Sequence, residues 1–373
     1  MGKVISRGYD YLTAVNEKRE LLTGAVKNIG CGEHNRAREM LQDLVKHLEL
    51  DSNPGDLKYF IFASALSRRL GTCLADGSNI YLREYEVPQI DLFNMLANRV
   101  PLVYMSGYIA NELLCKFISG REEIVLVDIG IGTGRQEMDL LKLLAERRAA
   151  PGKLVLVGIE PQVSSLQRAE DTLLDLASQL GINLEFHPFA KLIEDFNEED
   201  WNRLKKLPGH LVVNESFALH HVLKTEMKPD PRDEILRRLK QLNPLGFVLS
   251  EPHSDHSTDD IWSRFNNCWK HFGLAFSVID QLDMPDKIKG AIKLNFFGRE
   301  IEDILGNNDE RRCERHETAQ MWADRLKKAG FSIWRDFGFA SGLSAPVVTV
   351  SSKGDYIGLD YKGKTIVSIL CGT

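Results

Sequence analysis

Asp128, Gly130, Gly132 and Gly134, in "VDIGIGTGRQEM", set one acid and three glycines at alternate positions between an apolar run and a helix-like pattern. Glycine permits a tight turn and lets a ligand approach the backbone closely. In an open α/β sheet such a loop lies where ligands bind, beyond the carboxyl ends of the strands. Three ligand classes compete for it. The phosphate-cradling pattern GxxxxGK[ST] is absent, and the dinucleotide pattern GxGxxG would need glycine where Arg135 stands. A pyrophosphate would also be repelled by the carboxylate of Asp128. S-adenosylmethionine carries an ammonium and a sulfonium and no phosphate, so an acid here attracts it. Glu160, closing "LVLVGIEP", is placed to accept hydrogen bonds from both ribose hydroxyls. It lies 30 residues beyond Gly130, against roughly 20 in the compact dinucleotide unit, because the intervening helix is longer.

More chemistry-bearing residues follow at later strand ends. "LVVNESFALHHVL" closes a strand with Asn214 and Glu215 and runs into a helical pattern holding His220 and His221. It is similar to the fourth strand of small-molecule methyltransferases, where a polar residue faces the transferred methyl. Adjacent helical residues diverge by about 100°, so only one of the two histidines is expected to face the site. Glu251 in "VLSEPH" is placed as a general base or as a holder of a substrate hydroxyl. His253, Asp255 and His256 lack a further ligand at metal-site spacing, so no metal is expected. Arg299 in "FGREIEDIL" and Arg315, His316 and Glu317 in "ERHETAQMW" form a dense polar set. They either pin their segment by arginine–carboxylate pairing or line a substrate cleft over the strand ends. Trp322 and Trp334 stand among apolar neighbours and read as core.

The elements that must position these residues divide near Gly120. Residues 1–120 read as a helical cap: "HNRAREMLQDLVKHLEL", "LKYFIFASALSRRLG", "QIDLFNMLANRVP" and "YMSGYIANELLCKFISG" all carry helical apolar spacing. From 121 to 373 the texture becomes alternating. "EIVLVDIG", "KLVLVGIEP", "INLEFHPF", "HLVVNESF" and "LGFVLSEPH" read as buried strands separated by helices. "AQMWADRLKKAGFSIWRDFG" reads as helix then strand, and "KTIVSILCGT" as a final strand. The expectation is a doubly wound, Rossmann-like, mostly parallel sheet of seven strands. About sixty residues, 255–315, are too long for a plain connection after the fifth strand and read as an inserted subdomain.

Composition narrows the classes further. The chain has 373 residues and a formal net charge of −6, which gives no support to direct nucleic-acid binding. Its six cysteines are scattered without a CxxC pair, which suits a reducing compartment and a cytoplasmic location. No secretion signal or apolar run of membrane-spanning length is evident, and the myristoylation-like "MGKVIS" reads as chance.

These blocks, in this order, resemble the GRAS domain. "IVLVDIG" resembles its VHIID block, "LEFHPFAKLIEDF" its PFYRE region and "LVVNESFALHHVL" its VNxxFxLHxL signature. "FGREIEDIL", "ERHETAQMWADRLKKAGF" and the closing strand resemble its SAW region, and "LKYFIFASALSRRL" and "PLVYMSGYIANELL" its first leucine-rich block. The resemblance covers nearly the whole chain from about residue 35. It implies the fold of class I S-adenosylmethionine-dependent methyltransferases with a helical cap. Most plant members, known mainly as transcriptional regulators, have lost the loop glycines that this chain keeps. It therefore looks like a bacterial-type member, a group thought to methylate small molecules. On that reading Asp128, the three glycines and Glu160 hold the cofactor, with Phe189 and Ala190 flanking its adenine. Asn214, Glu215, His220 and Glu251 would orient or deprotonate the acceptor, and His221, Arg299, Arg315, His316 and Glu317 would bind it under the cap. A homodimer is compatible with this. The alternative is a non-catalytic GRAS module that binds a protein or a small hormone-like ligand.

Overall fold

The computed structural model describes residues 2–50, 52–71, 93, 96–223, 230–340 and 342–373, with side chains from residue 16 onward except at residue 309. The first part of the helix expected over "QIDLFNMLANRVP", except residue 93, lies outside these residues, as does Cys73. The chain forms two compact units. One combines Met1–Ile80 with Asp255–Arg315, and the other combines Tyr81–Ser254 with His316–Thr373. The 255–315 segment thus groups with the N-terminal helices, while the helix Pro101–Ile118 belongs to the sheet unit.

The first unit begins with helices α1 (Gly2–Gly30), α2 (His34–Lys46) and α3 (Asp56–Leu70). Asp56 is buried at the start of α3 and is satisfied by Lys18 Nζ at 2.8 Å and by the backbone N–H of Glu49 at 2.7 Å. Such a buried acid requires both a cation and hydrogen-bond donors.

The second unit opens with α4 (Pro101–Ile118) and then alternates: β1 (Glu123–Ile129), α5 (Arg135–Glu146), β2 (Lys153–Ile159), α6 (Val163–Leu180), β3 (Leu184–Phe189), α7 (Glu198–Lys205), β4 (His210–Ser216), α8 (Pro231–Gln241) and β5 (Gly246–Pro252). The chain then returns to the helical unit as α9 (Ile261–Asp280), α10 (Asp286–Ala291), a π-helical stretch Ile292–Phe297 and α11 (Gly298–Gly306). It ends in the sheet unit with α12 (Ala319–Ala329), β6 (Ser344–Ala345), β7 (Val348–Ser352), β8 (Ile357–Tyr361) and β9 (Lys364–Gly372).

The sheet order is β3-β2-β1-β4-β5-β9-β8-β7-β6. The first five strands are mutually parallel, and from β9 onward the pairing is antiparallel. The sheet therefore has nine strands among the described residues where the sequence pattern suggests seven. "FSIWRD", read as a strand, makes only an isolated bridge from Ile333 to Gly372. The extra strands, β6 to β8, come from "SAPVVTVSSKGDYIGLDY", a run rich in β-branched residues that pairs only locally.

Strand alternation gives the sheet two unlike faces. Val125, Val127, Val213, Phe247 and Leu249 pack with Leu236 of α8 and Trp322 of α12 in one core. Trp322 is fully buried there, whereas Trp334 is only half-buried, against Phe117, because no regular strand carries it inward. α4 covers the opposite face so closely that a Cβ on Gly246 would lie 2.6 Å or less from the Phe117 ring. No described helix is long and apolar enough to cross a membrane.

The turn from β1 into α5 is equally tight. Gly134 has φ +73° and a Cβ there would meet Leu173 Cδ1 at 2.8 Å and Ala169 Cβ at 3.2 Å. Gly134→Ala is expected to destabilise the sheet unit by about 2 kcal/mol, from positive-φ strain and overpacking. The midpoint of urea unfolding at constant slope measures it, and an unchanged midpoint would show that α6 yields freely.

Candidate active site at the strand ends

Two acidic networks occupy the carboxyl ends of β1, β4 and β5, on opposite faces of the sheet. The first is centred on Asp128, which is 2% exposed. Asn214 is its register partner on β4 and donates Nδ2–H to its carboxylate at 2.6 Å. Glu137, in the first turn of α5, hydrogen-bonds to it from the other side. Burial raises both acids above their ordinary values, Glu137 furthest, with the Asp128 charge adding to its rise. The coherent state is a protonated Glu137 donating to an ionised Asp128. Asp128 therefore has internal donors and anchors the loop between β1 and α5.

That loop is also held by β2. The N–H groups of Gly130 and Ile131 donate to the carbonyl of Ile159 at 2.9 and 3.3 Å. Glu160 accepts from the backbone N–H of Gln162 at 2.9 Å and from that of Gly132. Burial lifts Glu160 above the usual carboxylate range, and these backbone donors pull it back. Gly130, Gly132 and Gly134 all have positive φ, at 81°, 56° and 73°. A Cβ on Gly130 would sit 2.7 Å from Ala218 Cβ, so the turn after β4 lies directly over the loop.

The second network lies on the other face. Glu215 follows Asn214, and strand alternation turns the two side chains apart. Asn214 and Glu215 therefore serve different networks and do not flank one acceptor together. Glu215 accepts from the N–H groups of Ala218 and Leu219 at 2.7 and 3.0 Å, and its carboxyl pairs with that of Glu251 on β5. Burial pushes Glu215 up to about 7. Glu251 accepts from the backbone N–H of His220 at 3.0 Å and also bonds His220 Nδ1. His220 and His221 occupy a 3₁₀ turn, Leu219–His221, rather than a helix. Both are buried, with ring centroids 3.8 Å apart, so the expectation that only one joins the site fails. The cause is the backbone reversal at Phe217, which has φ +58° and an N–H bonded to the carbonyl of Ser250. His316 completes the cluster, edge-on to His220 at 4.7 Å between centroids. Glu194, in the turn after β3, is pushed to about 7 by burial, and the charge of His221 acts on it.

Other candidates fall elsewhere. Phe189 is a core residue, stacked on Phe196 at 5.0 Å under the guanidinium of Arg203. Ala190 is exposed at the end of β3. Glu317 is held by Arg232 at 3.0 Å and by Arg325 at 2.6 and 2.7 Å, which ties α8 to α12. The pairing reading holds for this carboxylate, although its partners come from the sheet unit. His253 accepts from the N–H of Ala319 at 3.1 Å and stacks on Tyr356. Arg299, half-buried on α11, and Arg315, buried, belong to the helical unit. Glu137 and Glu194 were not singled out in the sequence. Glu137 did carry a signal, because it shares the apolar phase of Leu140, Leu141 and Leu144 on α5.

Glu317→Gln removes the buried carboxylate shared by buried Arg232 and half-buried Arg325, which keep Asp230 and Asp233, and is expected to cost about 3 kcal/mol. Chemical denaturation checks the loss, and ligand affinity of the folded protein should not change. For Glu215 the folded pKa of about 7 lies above its ordinary value of 4.5. Its stabilising contribution is therefore full below about pH 4.5 and is lost as pH rises through 7. The stability difference between Glu215→Gln and wild type is expected to shift in the variant's favour by roughly 3 kcal/mol between pH 4.5 and pH 8. A pH-independent difference would mean that Glu215 stays ionised throughout.

The model of the GRAS domain family matches residues 18–336. GRAS family protein RAD1 of Lotus japonicus is 24% identical over 377 residues, covering 94% of this chain and 73% of that protein. Scarecrow-like protein 14 of Arabidopsis thaliana is 26% identical over 328 residues, 84% of this chain and 42% of its own length. DELLA protein RGL1 of the same plant is 26% identical over 295 residues, 77% of this chain and 55% of its own length. The chain thus spans less than two thirds of the latter two. The crystal structure of SCL7 from Oryza sativa superposes with a TM-score of 0.75 at 21% identity, covering 90% of this chain and 94% of that one.

Proposed function

The chain belongs to the GRAS domain family, and from that premise we propose that its sheet unit binds S-adenosylmethionine and methylates a small-molecule acceptor, as a member of bacterial type. One observation carries the reading: the glycine loop after β1 takes positive φ at all three glycines and is hydrogen-bonded to the acid that ends β2. The switch point of a doubly wound sheet is where such a loop meets a ligand.

The residues fit this cofactor better than a phosphate-bearing one. Asp128 and Glu137 share one proton, so a negative charge stays buried beneath the loop. That charge favours a cation and opposes a pyrophosphate. Asn214 Oδ1 is buried and has no hydrogen-bond partner among the described residues. A buried carbonyl oxygen in that state is a site for a donor such as an ammonium. Glu160 is the acceptor for ribose hydroxyls, still anchored through Gly132 and Gln162. When bound, the cofactor supplies an electrophilic methyl carbon on a sulfonium. The chain's own residues supply placement: the loop fixes one partner of the transfer and the strand-end cluster the other. In-line displacement draws most of its acceleration from such positioning.

Calorimetry tests the proposal with the pure protein. S-adenosylmethionine and S-adenosylhomocysteine should both bind, and Glu160→Gln should weaken both about tenfold, equal to ~1.4 kcal/mol, with its circular dichroism unchanged. Absence of heat with either ligand for folded wild type would overturn it and favour a binding module without chemistry.

A further inference from the structure

This inference rests on the methyl-transfer reading above and names the acceptor. We propose that Ser216 and Ser250, side by side at the ends of β4 and β5, bind the acceptor, and that the acceptor is an amine methylated on its neutral nitrogen.

The two serines belong to the face covered by α4. Ser216 and Ser250 are register partners on adjacent parallel strands, and Ser216 lies two residues beyond Asn214, so all three side chains share one face of the sheet. Ser250 is fully buried, and its Oγ has no hydrogen-bond partner among the described residues. Asn214 Oδ1 is in the same condition. Buried polar oxygens are normally bonded, and one left open is stabilised by a ligand that brings the partner. Ser216, Phe217 and Ala218 are only half-buried, so a small molecule can reach the end of β4.

The direction of the hydrogen bonds around Ser216 fixes what that partner must be. Asn111 on α4 donates Nδ2–H at 3.0 Å to the backbone carbonyl of Gln136, a group that can only accept. Asn111 Oδ1 therefore turns to the Gln136 side chain and accepts its Nε2–H at 3.2 Å. Gln136 Oε1 is left facing Ser216, whose hydroxyl donates to it at 2.8 Å. The one proton of Ser216 is thus committed, and its oxygen offers lone pairs. The amide of Asn214 is fixed likewise by the Nδ2–H it donates to Asp128, so its Oδ1 also offers lone pairs. Two of the three oxygens have no proton to give, and Ser250 can take either role. The Asp128 carboxylate lies directly behind Asn214.

This polarity selects among acceptors. A carboxylate or a phenolate would bring lone pairs to lone pairs and a negative charge towards Asp128. An alcohol must lose its single proton to become a good nucleophile, and the acids bonded into this network, Asp128 and Glu137, are engaged with each other. A thiol brings one weak donor. A neutral primary amine brings two N–H donors, one for each serine, and keeps its lone pair for attack. That lone pair forms the new N–CH3 bond as the S–CH3 bond breaks. The electron pair of the broken bond stays on sulfur, which becomes a neutral thioether. The positive charge passes to the product ammonium, which later gives a proton to water.

Two measurements test this, alongside calorimetry of S-adenosylmethionine. The first is calorimetric titration of the protein with benzylamine, benzyl alcohol and benzoate as separate probes. Benzylamine should bind tightest, and Ser250→Ala should weaken it about tenfold, the worth of one hydrogen bond. The urea midpoint of Ser250→Ala should stay or rise, because the missing hydroxyl had no bond within the protein. Unchanged benzylamine affinity in that variant, a lowered midpoint, or tighter binding of the alcohol or benzoate overturns the site. The second measurement supplies tritium-methyl S-adenosylmethionine with benzylamine, benzyl alcohol and benzyl thiol. Label on benzylamine is expected, at a rate that rises with pH as the amine loses its ammonium proton. Ser250→Ala should raise KM for the amine about tenfold with kcat little changed. Label on the alcohol or thiol in place of the amine, or on none of the three, overturns the amine class. Silent calorimetry of S-adenosylmethionine instead defeats the methyl-transfer reading, and the benzylamine titration still decides whether the two serines form a binding site.

Discussion

A carboxylate buried at the end of a central parallel strand must be given hydrogen-bond donors, and much of the site geometry follows from how Asp128 receives them. At 2% exposure its donors come from the chain: Nδ2–H of Asn214 on the adjacent strand and the carboxyl of Glu137 on the next helix. Both supports have structural consequences. The bond to Asn214 joins β1 to β4 across the switch point. The bond to Glu137 draws the first turn of α5 onto β1 and leaves five residues, Gly130 to Gly134, to reverse direction between them. A reversal that short takes positive φ at all three glycines. The glycine loop and the buried acid are thus one device, and neither is explained without the other.

The doubly wound core was legible because buried parallel strands are continuous apolar runs, and β1 to β5 read that way. The strands beyond α12 were less legible. β6 to β8 are short and antiparallel, β6 and β7 with mixed exposure and β8 buried throughout, and little in "SAPVVTVSSKGDYIGLDY" distinguishes them from an extended loop with glycines. "FSIWRD" erred the other way. Its apolar residues are anchored by single contacts such as the bond from Trp334 N–H to the carbonyl of Cys371, without a ladder.

At the site, residue types were legible and directions were not. Asn214 and Glu215 were both picked out, but their neighbouring positions oblige them to point to opposite faces, and each then joins a different network. The histidine pair was misjudged through its backbone. A helix would separate the two rings, whereas the 3₁₀ turn after the reversal at Phe217 keeps both buried at 3.8 Å. Glu317 shows the limit of counting charges in a segment. Its neighbours Arg315 and His316 suggested a substrate cleft, yet its partners are Arg232 and Arg325, far apart in sequence.

The two networks also divide the electrostatic work. On one face, Asp128 and Glu137 keep a single negative charge beneath the loop. On the other, the Glu215 and Glu251 carboxyls pair, and Glu251 bonds His220. β4 supplies a residue to each, in consecutive positions, so the separation between them is set by the thickness of one strand. The Asp128–Asn214 pair and the Glu215–Glu251 pair are therefore fixed relative to one another by backbone geometry and not by flexible side chains.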